Sequence, residues 1–430
     1  MTKLVLALIA SHALALPSCG EGLDAGFYGQ PDGTKGSATA EDTTPSSADK
    51  DSPEAECPAP NSGQNASISW LSQFEEDLAT NPSSVAVDAQ DDAYLTTLTG
   101  GTRKLAADGT LVWSKPFGTL VAVSDTGDVV VSGSFTGTLT LDGTVLTSAG
   151  GSDVFVARLD ANGNVVRAVA LGGSGDETVT SLVVDHAGRA VVSGSGLGTV
   201  ALDQTDAPAW RVDYFGALGT DAANDVLVTG ALVGGTNFGG GTLTSAGGKD
   251  VFVVKLDQAG DHQWSARYGD AGANQLGQAI ASDFDGDVFV AGVFDGSLDF
   301  GTGALALAHC PSEAWCNESG FVAKLDPTGV ALWSVARGPM RAVAGLAATA
   351  SGNVVVSGAT PGDADPYRIP ILFALDPTGQ ALWQRTEWPE TGLGAGRGVA
   401  VGSCGSVLWS VGAEPTLDSN ERAYLAKLTP

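Results

Sequence analysis

Residues 325–333 read LDPTGVALW, and residues 375–383 read LDPTGQALW. Asp favours the first position of a tight turn, Pro presets the second, and Gly supplies positive φ. The apolar residues on either side are therefore two strands of one hairpin. The same spacing, Leu followed eight residues later by Trp, recurs at Leu105–Trp113, Leu202–Trp210 and Leu256–Trp264. A sixth copy, Leu159 to Arg167, has lost its Trp.

A second hairpin alternates with the first. An apolar anchor is followed twelve residues later by Gly, with a polar turn and a Val-rich strand between. The pairs are Val121–Gly133, Leu182–Gly194, Leu218–Gly230, Ile280–Gly292, Leu346–Gly358 and Ala400–Gly412. Val85–Thr97 is a seventh copy with Thr in place of Gly. Each repeat unit thus holds four short strands, and a period of this length signals a repeat architecture.

One Leu…Trp hairpin is missing, and its halves lie at opposite ends of the chain. Ala423-Tyr424-Leu425-Ala426-Lys427-Leu428 is a first half with no Trp after it. Ile68-Ser69-Trp70-Leu71-Ser72-Gln73-Phe74 is a second half with no Leu strand before it. Trp70–Phe74 is in phase with Trp113–Phe117, Trp210–Tyr214 and Trp264–Tyr268. Pairing the halves closes a ring and removes its free sheet edges. The expected fold is all-β: a seven-bladed β-propeller of four-stranded blades, the N-terminal strand outermost in the last blade. A shift of 97 residues also maps Ser148–Asp160 onto Ser245–Asp257, so blades 1–2 and 3–4 read as a duplicated pair.

Composition agrees. The 430 residues include 59 Gly without a three-residue period, which points to many turns. Charged residues are 16% and hydrophobic residues 43%, which excludes a disordered chain. The net charge of −28 excludes a generic nucleic-acid binder, because nothing could neutralise a run of phosphates.

The N-terminus carries an address. Met1–Lys3 is a short basic region and Leu4–Leu16 an apolar run, too short to span a bilayer but right for a signal peptide. It ends in Leu16-Pro17-Ser18-Cys19, which resembles the bacterial lipobox. The resemblance implies cleavage after residue 18, lipidation of Cys19 and a cell-envelope location. Gly20 is not the Asp that marks inner-membrane retention in that family, so the expectation is the outer membrane. Residues 19–65 are rich in Ser, Thr, Pro and acids and read as a disordered tether, because they offer too little apolar surface to offset ordering entropy. Residues 66–430 are the propeller.

The stretches GGSDVFVARLDANG, LGGSGDE, GGKDVFVVKLDQAG and AVVSG resemble the bacterial SBBP (seven-bladed β-propeller) repeat. The resemblance implies a secreted propeller of poorly defined activity. LDPTGQALW also resembles the Trp-docking motif of pyrroloquinoline-quinone propellers, whose metal and quinone ligands are not found here.

Candidate functional residues follow. Trp70, Trp113, Trp210, Trp264, Trp333 and Trp383 are expected to pack between neighbouring blades; a sugar-stacking platform is the other reading. Cys310 and Cys316 suit a local disulfide, or a metal site with His309 and Glu313. Cys57 and Cys404 suit a disulfide stapling the ring, or two free thiols. Three positions after each anchor stand Asp88, Ser124, Asp185, Asp221, Asp283, Thr349 and Ser403. They cap tight turns at one channel mouth; alternatively Asp88, Asp185, Asp221 and Asp283 form a cation-holding ring. Asp283, Asp285 and Asp287 resemble a clipped calcium loop without its bidentate Glu; no cofactor is expected, with Ca²⁺ there as the alternative. The long inserts 134–152, 231–249 and 293–319 all emerge on one face, where loops recognise partners. They suit a protein or a glycan; neutral surface decoration is the bland alternative.

Catalysis finds little support. His186, His262 and His309 sit in no motif, although paired carboxylates from different blades remain open. The expected function is a monomeric envelope lipoprotein whose non-catalytic propeller binds a protein or glycan and touches the membrane only through its lipid. The rivals are a polysaccharide hydrolase or lyase, and a structural protein without a specific ligand. A facing carboxylate pair in the central pocket would favour the enzyme, and a lining of Ser, Thr and Ala would favour binding.

Overall fold

The computed structural model describes residues 67–74, 82–307, 318–361, 368–386, 394–402, 405–413 and 423–429. The chain divides between Glu56 and Cys57, and every described residue belongs to the second unit. Residues 1–18, read as a signal peptide, Cys19, the expected tether, and Cys57, Cys310, Cys316 and Cys404 lie outside the described residues, so the lipidation, both disulfide expectations and the alternative metal site with His309 and Glu313 do too.

Seven four-stranded antiparallel sheets make up the propeller, as expected. Blades 1 to 6 span 82–115, 120–171, 178–212, 217–268, 275–339 and 342–385, and blade 7 joins 394–429 to 67–74. The first strand of each blade faces the axis. Polar side chains stitch neighbouring first strands together: Ser84 Oγ donates to Val121 O (3.2 Å), Ser282 Oγ to Thr220 O (2.9 Å), and Val343 N to Gln278 Oε1 (3.0 Å). Second strands, and most third strands, are largely apolar and buried on both faces, because each blade is covered on both sides by its neighbours. One core joins Phe289, Val293 and Val322 of blade 5 to Val354, Val356 and Phe373 of blade 6.

Closure occurs as read from the chain ends. Ser67–Phe74 pairs antiparallel with Ala423–Thr429, with Trp70 opposite Lys427 and Gln73 opposite Tyr424. The N-terminal strand is the outermost of blade 7, in the order expected.

The outer-strand tryptophans lock each blade to the next. The indole N–H of Trp70, Trp113, Trp210, Trp264 and Trp333 donates to a turn carbonyl of the following blade, on Ala107, Ala161, Gln258, Pro327 and Pro377, at 2.8–3.1 Å. The turn's Gly lies flat on the indole. A methyl on Gly260 would sit 2.7 Å from Trp210 Cδ2, and its φ of +83° already excludes most side chains. Blade 2 breaks the pattern in a compensated way. Arg167 replaces Trp and still reaches the matching carbonyl, Gln204 O, at 2.8 Å. The Gly of that turn is replaced by Asp206, which pairs with Arg158 (2.7 Å) and Arg167 (3.3 Å). An indole on a glycine has become a guanidinium on a carboxylate. The turn equivalent to these docks for Trp383 lies outside the described residues.

The inserts, expected as loops, form β-ribbons in blades 2 and 4 and a single β-bridge in the described part of blade 5. In blade 2 the strands Val129–Leu141 and Thr144–Leu159 continue into the ribbon. In blade 4, Gly235–Asn237 pairs with Thr242–Thr244, and in blade 5 Leu298 bridges Leu305. Each folds back into the seam with the preceding blade and buries apolar residues there. Phe238 packs on Tyr214 (ring centroids 4.8 Å apart), and Phe300 on Tyr268 (4.4 Å). Leu139, Leu141 and Leu146 join the core that holds Phe117. The aromatic four residues after Trp113, Trp210 and Trp264 therefore receives the next blade's ribbon.

The Trp–Gly dock gives a test: Gly260→Ala will lower stability by about 2–4 kcal/mol, through clash with Trp210 and a disfavoured φ. The midpoint of urea unfolding measures it.

Candidate binding site

The central channel is a cavity of about 470 Å³ lined by all seven first strands. Its wall is Val85, Val121, Leu182, Leu218, Ile280, Leu346 and Val399, with Ser83, Ser84, Thr180, Ser181, Gln278 and Arg397 at the strand starts. No Asp or Glu is among its described lining residues. Hydroxyls and small apolar groups can bind, but they offer no acid–base pair for glycoside cleavage.

The turn aspartates are buried and engaged. Asp88 Oδ1 accepts the amides of Gln90 and Asp92 (3.0 and 2.9 Å), and Asp221 and Asp283 repeat this two and four residues on. Asp185 accepts the Arg189 amide (2.8 Å). The second oxygen of each meets a cation: that of Asp88 meets Lys104 (3.5 Å), that of Asp185 Arg189 (2.6 Å), that of Asp221 Lys255 (2.6 Å) and that of Asp283 Lys324 (3.1 Å). Ser124 and Thr349 do the capping by hydroxyl instead, taking the amides of Asp128 and Asn353 at 3.0 Å. In the calcium-like loop, Lys324 Nζ also holds Asp287 at 2.8 Å, so an ammonium already neutralises the carboxylates that a metal would need. Asp285 donates its amide to Asp283 Oδ1. No group of three His, Cys, Asp or Glu placed to hold a metal occurs among the described residues.

These lysines are the functional-looking residues that sequence reading passed over. Their signal is a Lys just before the Leu of the Leu…Trp hairpin, at Lys104, Lys255, Lys324 and Lys427. Burial disfavours the charge on Lys255 and Lys324, but two carboxylates each outweigh it and raise both above the usual lysine range. Asp225 is pushed up, first by burial and then by Asp221, because two acids share one lysine. Tyr94, pushed up to about 12 chiefly by burial, donates to Asp88 at 3.0 Å.

Two further clefts are lined by described residues. A groove of about 720 Å³ at the turn face has a floor of Val87, Val123, Ala348, Val355 and Val401, bordered by Ser124, Asp125, Ser351 and Trp383. A larger cleft, about 860 Å³, lies beside the blade 4 ribbon at the seam with blade 3. Phe215 (45% exposed) and Val233 (67%) stand open in it, flanked by Asp213, Thr236, Asn237, Asp261 and His262. Asn237 Oδ1 accepts the amides of Gly239 and Gly241 and fixes the ribbon tip. His262 Nε2 lies 3.0 Å from Ser265 Oγ. Tyr214 lines the cleft too; its hydroxyl is buried without a hydrogen-bond partner, and burial pushes it up to about 12. An exposed ring among amide, carboxylate and hydroxyl groups suits a polar ligand with one apolar face.

No family model matches the chain. No curated protein matches it either. Among solved structures it is similar to the WD40 β-propeller domain of Doa1, at 13% identity and TM-score 0.49, covering 85% of this chain and 97% of that one. It is also similar to the Neurospora crassa Pan2 WD40 domain, at 12% identity and TM-score 0.49, covering 86% and 98%. The Dos1 propeller matches at 10% identity and TM-score 0.46, covering 81% and 77%. Likenesses this remote assign no function to the chain.

Two outcomes follow from the turns. Lys324→Met strands Asp283 and Asp287 together and will cost about 3 kcal/mol in denaturant unfolding. Acid will also destabilise the ring. Asp326 and Asp376 are held below the usual carboxylate range, chiefly by the hydroxyls of Thr328 and Thr378. A depressed folded value contributes stability above the ordinary pKa, and that stability is lost as pH falls through the depressed one. Thermal midpoints should therefore decline below about pH 4, and melts from pH 7 downward will show it.

Proposed function

We propose that this chain is a cell-envelope lipoprotein of the SBBP-repeat type, held to the outer membrane through Cys19, whose propeller binds a partner without chemistry. The observation that carries the binding reading is the ribbon cleft, where an exposed Phe215 is set among hydrogen-bonding side chains on a rigid seam. The absence of carboxylates among the described channel-lining residues supports binding over hydrolysis. The ligand class is a glycan chain or a polar segment of an envelope protein. A sugar's apolar face would stack on Phe215, and its hydroxyls would meet Asp213, Asn237 and Asp261. The lipid anchor would keep this cleft close to the envelope polymers it meets.

The experiment is a glycan array on the soluble propeller, followed by calorimetry on each hit. Phe215→Ala is expected to weaken binding at least tenfold while leaving the melting temperature within about 2 °C. No binding by the wild type, or equal binding by Phe215→Ala, counts against the cleft. Radiolabelled palmitate should be incorporated by the full chain and lost in Cys19→Ala.

A further inference from the structure

The duplicated blades let the protein be compared with itself. In the second copy, Asp250 is fully buried on the third strand of blade 4, and Arg267 Nη1 sits 2.5 Å from its Oδ2. Gln275 completes the group: a methyl on Gly269 would strike Asp250 Oδ1 and lie 2.7 Å from Gln275 Oε1. The set carries one negative charge and one positive charge.

The first copy keeps the geometry and changes the charges. Asp153 stands for Asp250 and Gly172 for Gly269, each 97 residues earlier. The arginine is replaced by Ala170, and the glutamine by Glu177, with one residue fewer between. Asp153 is 2% exposed and Glu177 8%. A methyl on Gly172 would lie 2.5 Å from Asp153 Cγ, 2.7 Å from its Oδ1 and 2.6 Å from Glu177 Oε2. The two carboxylates thus lie within about 5 Å of each other, where like charges repel strongly. Asp153 Oδ2 accepts the amide of Ala149 (2.9 Å), and Glu177 Oε2 that of Gly173 (3.0 Å). Asp153 Oδ1, facing the same space, has no hydrogen-bond partner. No described lysine or arginine pairs with either acid.

We propose that Asp153 and Glu177 form a Ca²⁺ site at the crossing from blade 2 to blade 3, the cation supplying between Asp153 Oδ1 and Glu177 the positive charge that a guanidinium supplies in the duplicate. Two buried carboxylates with an unmatched oxygen need a positive charge. Carboxylate oxygens select a hard cation, and two of them on an irregular crossing, with water completing the shell, would suit the flexible coordination of calcium better than the strict octahedron of magnesium. The site is separate from the Asp283 loop, whose carboxylates already hold Lys324. Calcium there would brace the base of the blade 2 ribbon against blade 3.

The test uses the full chain, stripped with EDTA and titrated with Ca²⁺, Mg²⁺ and luminescent Tb³⁺. Wild type should gain several degrees of melting temperature with Ca²⁺, clearly more than with Mg²⁺ at equal concentration. Glu177→Gln should melt higher than wild type in EDTA, since it relieves the repulsion, and should bind Ca²⁺ and Tb³⁺ at least tenfold more weakly. Ala170→Arg combined with Glu177→Gln recreates the second copy and should be stable without metal and blind to it. The proposal is overturned if wild type ignores Ca²⁺, if Glu177→Gln keeps the full response, or if it melts lower than wild type in EDTA.

Discussion

Everything in this molecule depends on the pairing of Ser67–Phe74 with Ala423–Thr429. A propeller blade is covered on both faces only if it has a neighbour on each side. Without closure, blades 1 and 7 would each expose a face of Val and Leu, and the last sheet would end in a bare edge. Closure makes blade 7 a covered interior sheet, with Leu408, Trp409 and Leu425 fully buried. The channel, the turn-face groove and the seams all inherit their positions from that one antiparallel ladder.

The second constraint is the way the blades are indexed against each other. The indole on a turn glycine, with its N–H on the turn carbonyl, fixes both the spacing and the rotation of adjacent blades. Arg167 and Asp206 show that geometry matters more than residue type, because the same carbonyl is still reached. The inward-facing Asp–Lys clusters act within a blade instead, tying its first turn to its third strand, as Lys255 does for Asp221 and Asp225. Their charges are taken up by structural pairs.

Much of the fold was legible because repetition multiplies a weak signal. One LDPTG turn suggests a hairpin; six related turns, seven partner hairpins and two matching chain ends specify a ring. The candidate site was less legible. The inserts were visible as interruptions of the repeat, but their collapse onto Phe117, Tyr214 and Tyr268 was not, since those aromatics lie in the preceding blade. The turn aspartates were visible, while their lysines lie ten or more residues away on another strand.

The sequence by itself determined the number of blades, the strand order and the closure, because these follow from local turn chemistry and period-two patterning repeated along the chain. Tertiary structure alone decided which charges are neutralised and which are not. Asp250 and Asp153 occupy equivalent positions in the repeat, yet one faces a guanidinium and the other faces Glu177. That difference arises between strands brought together by folding, where the field at a carboxylate is set by neighbours in space and not by neighbours in the chain.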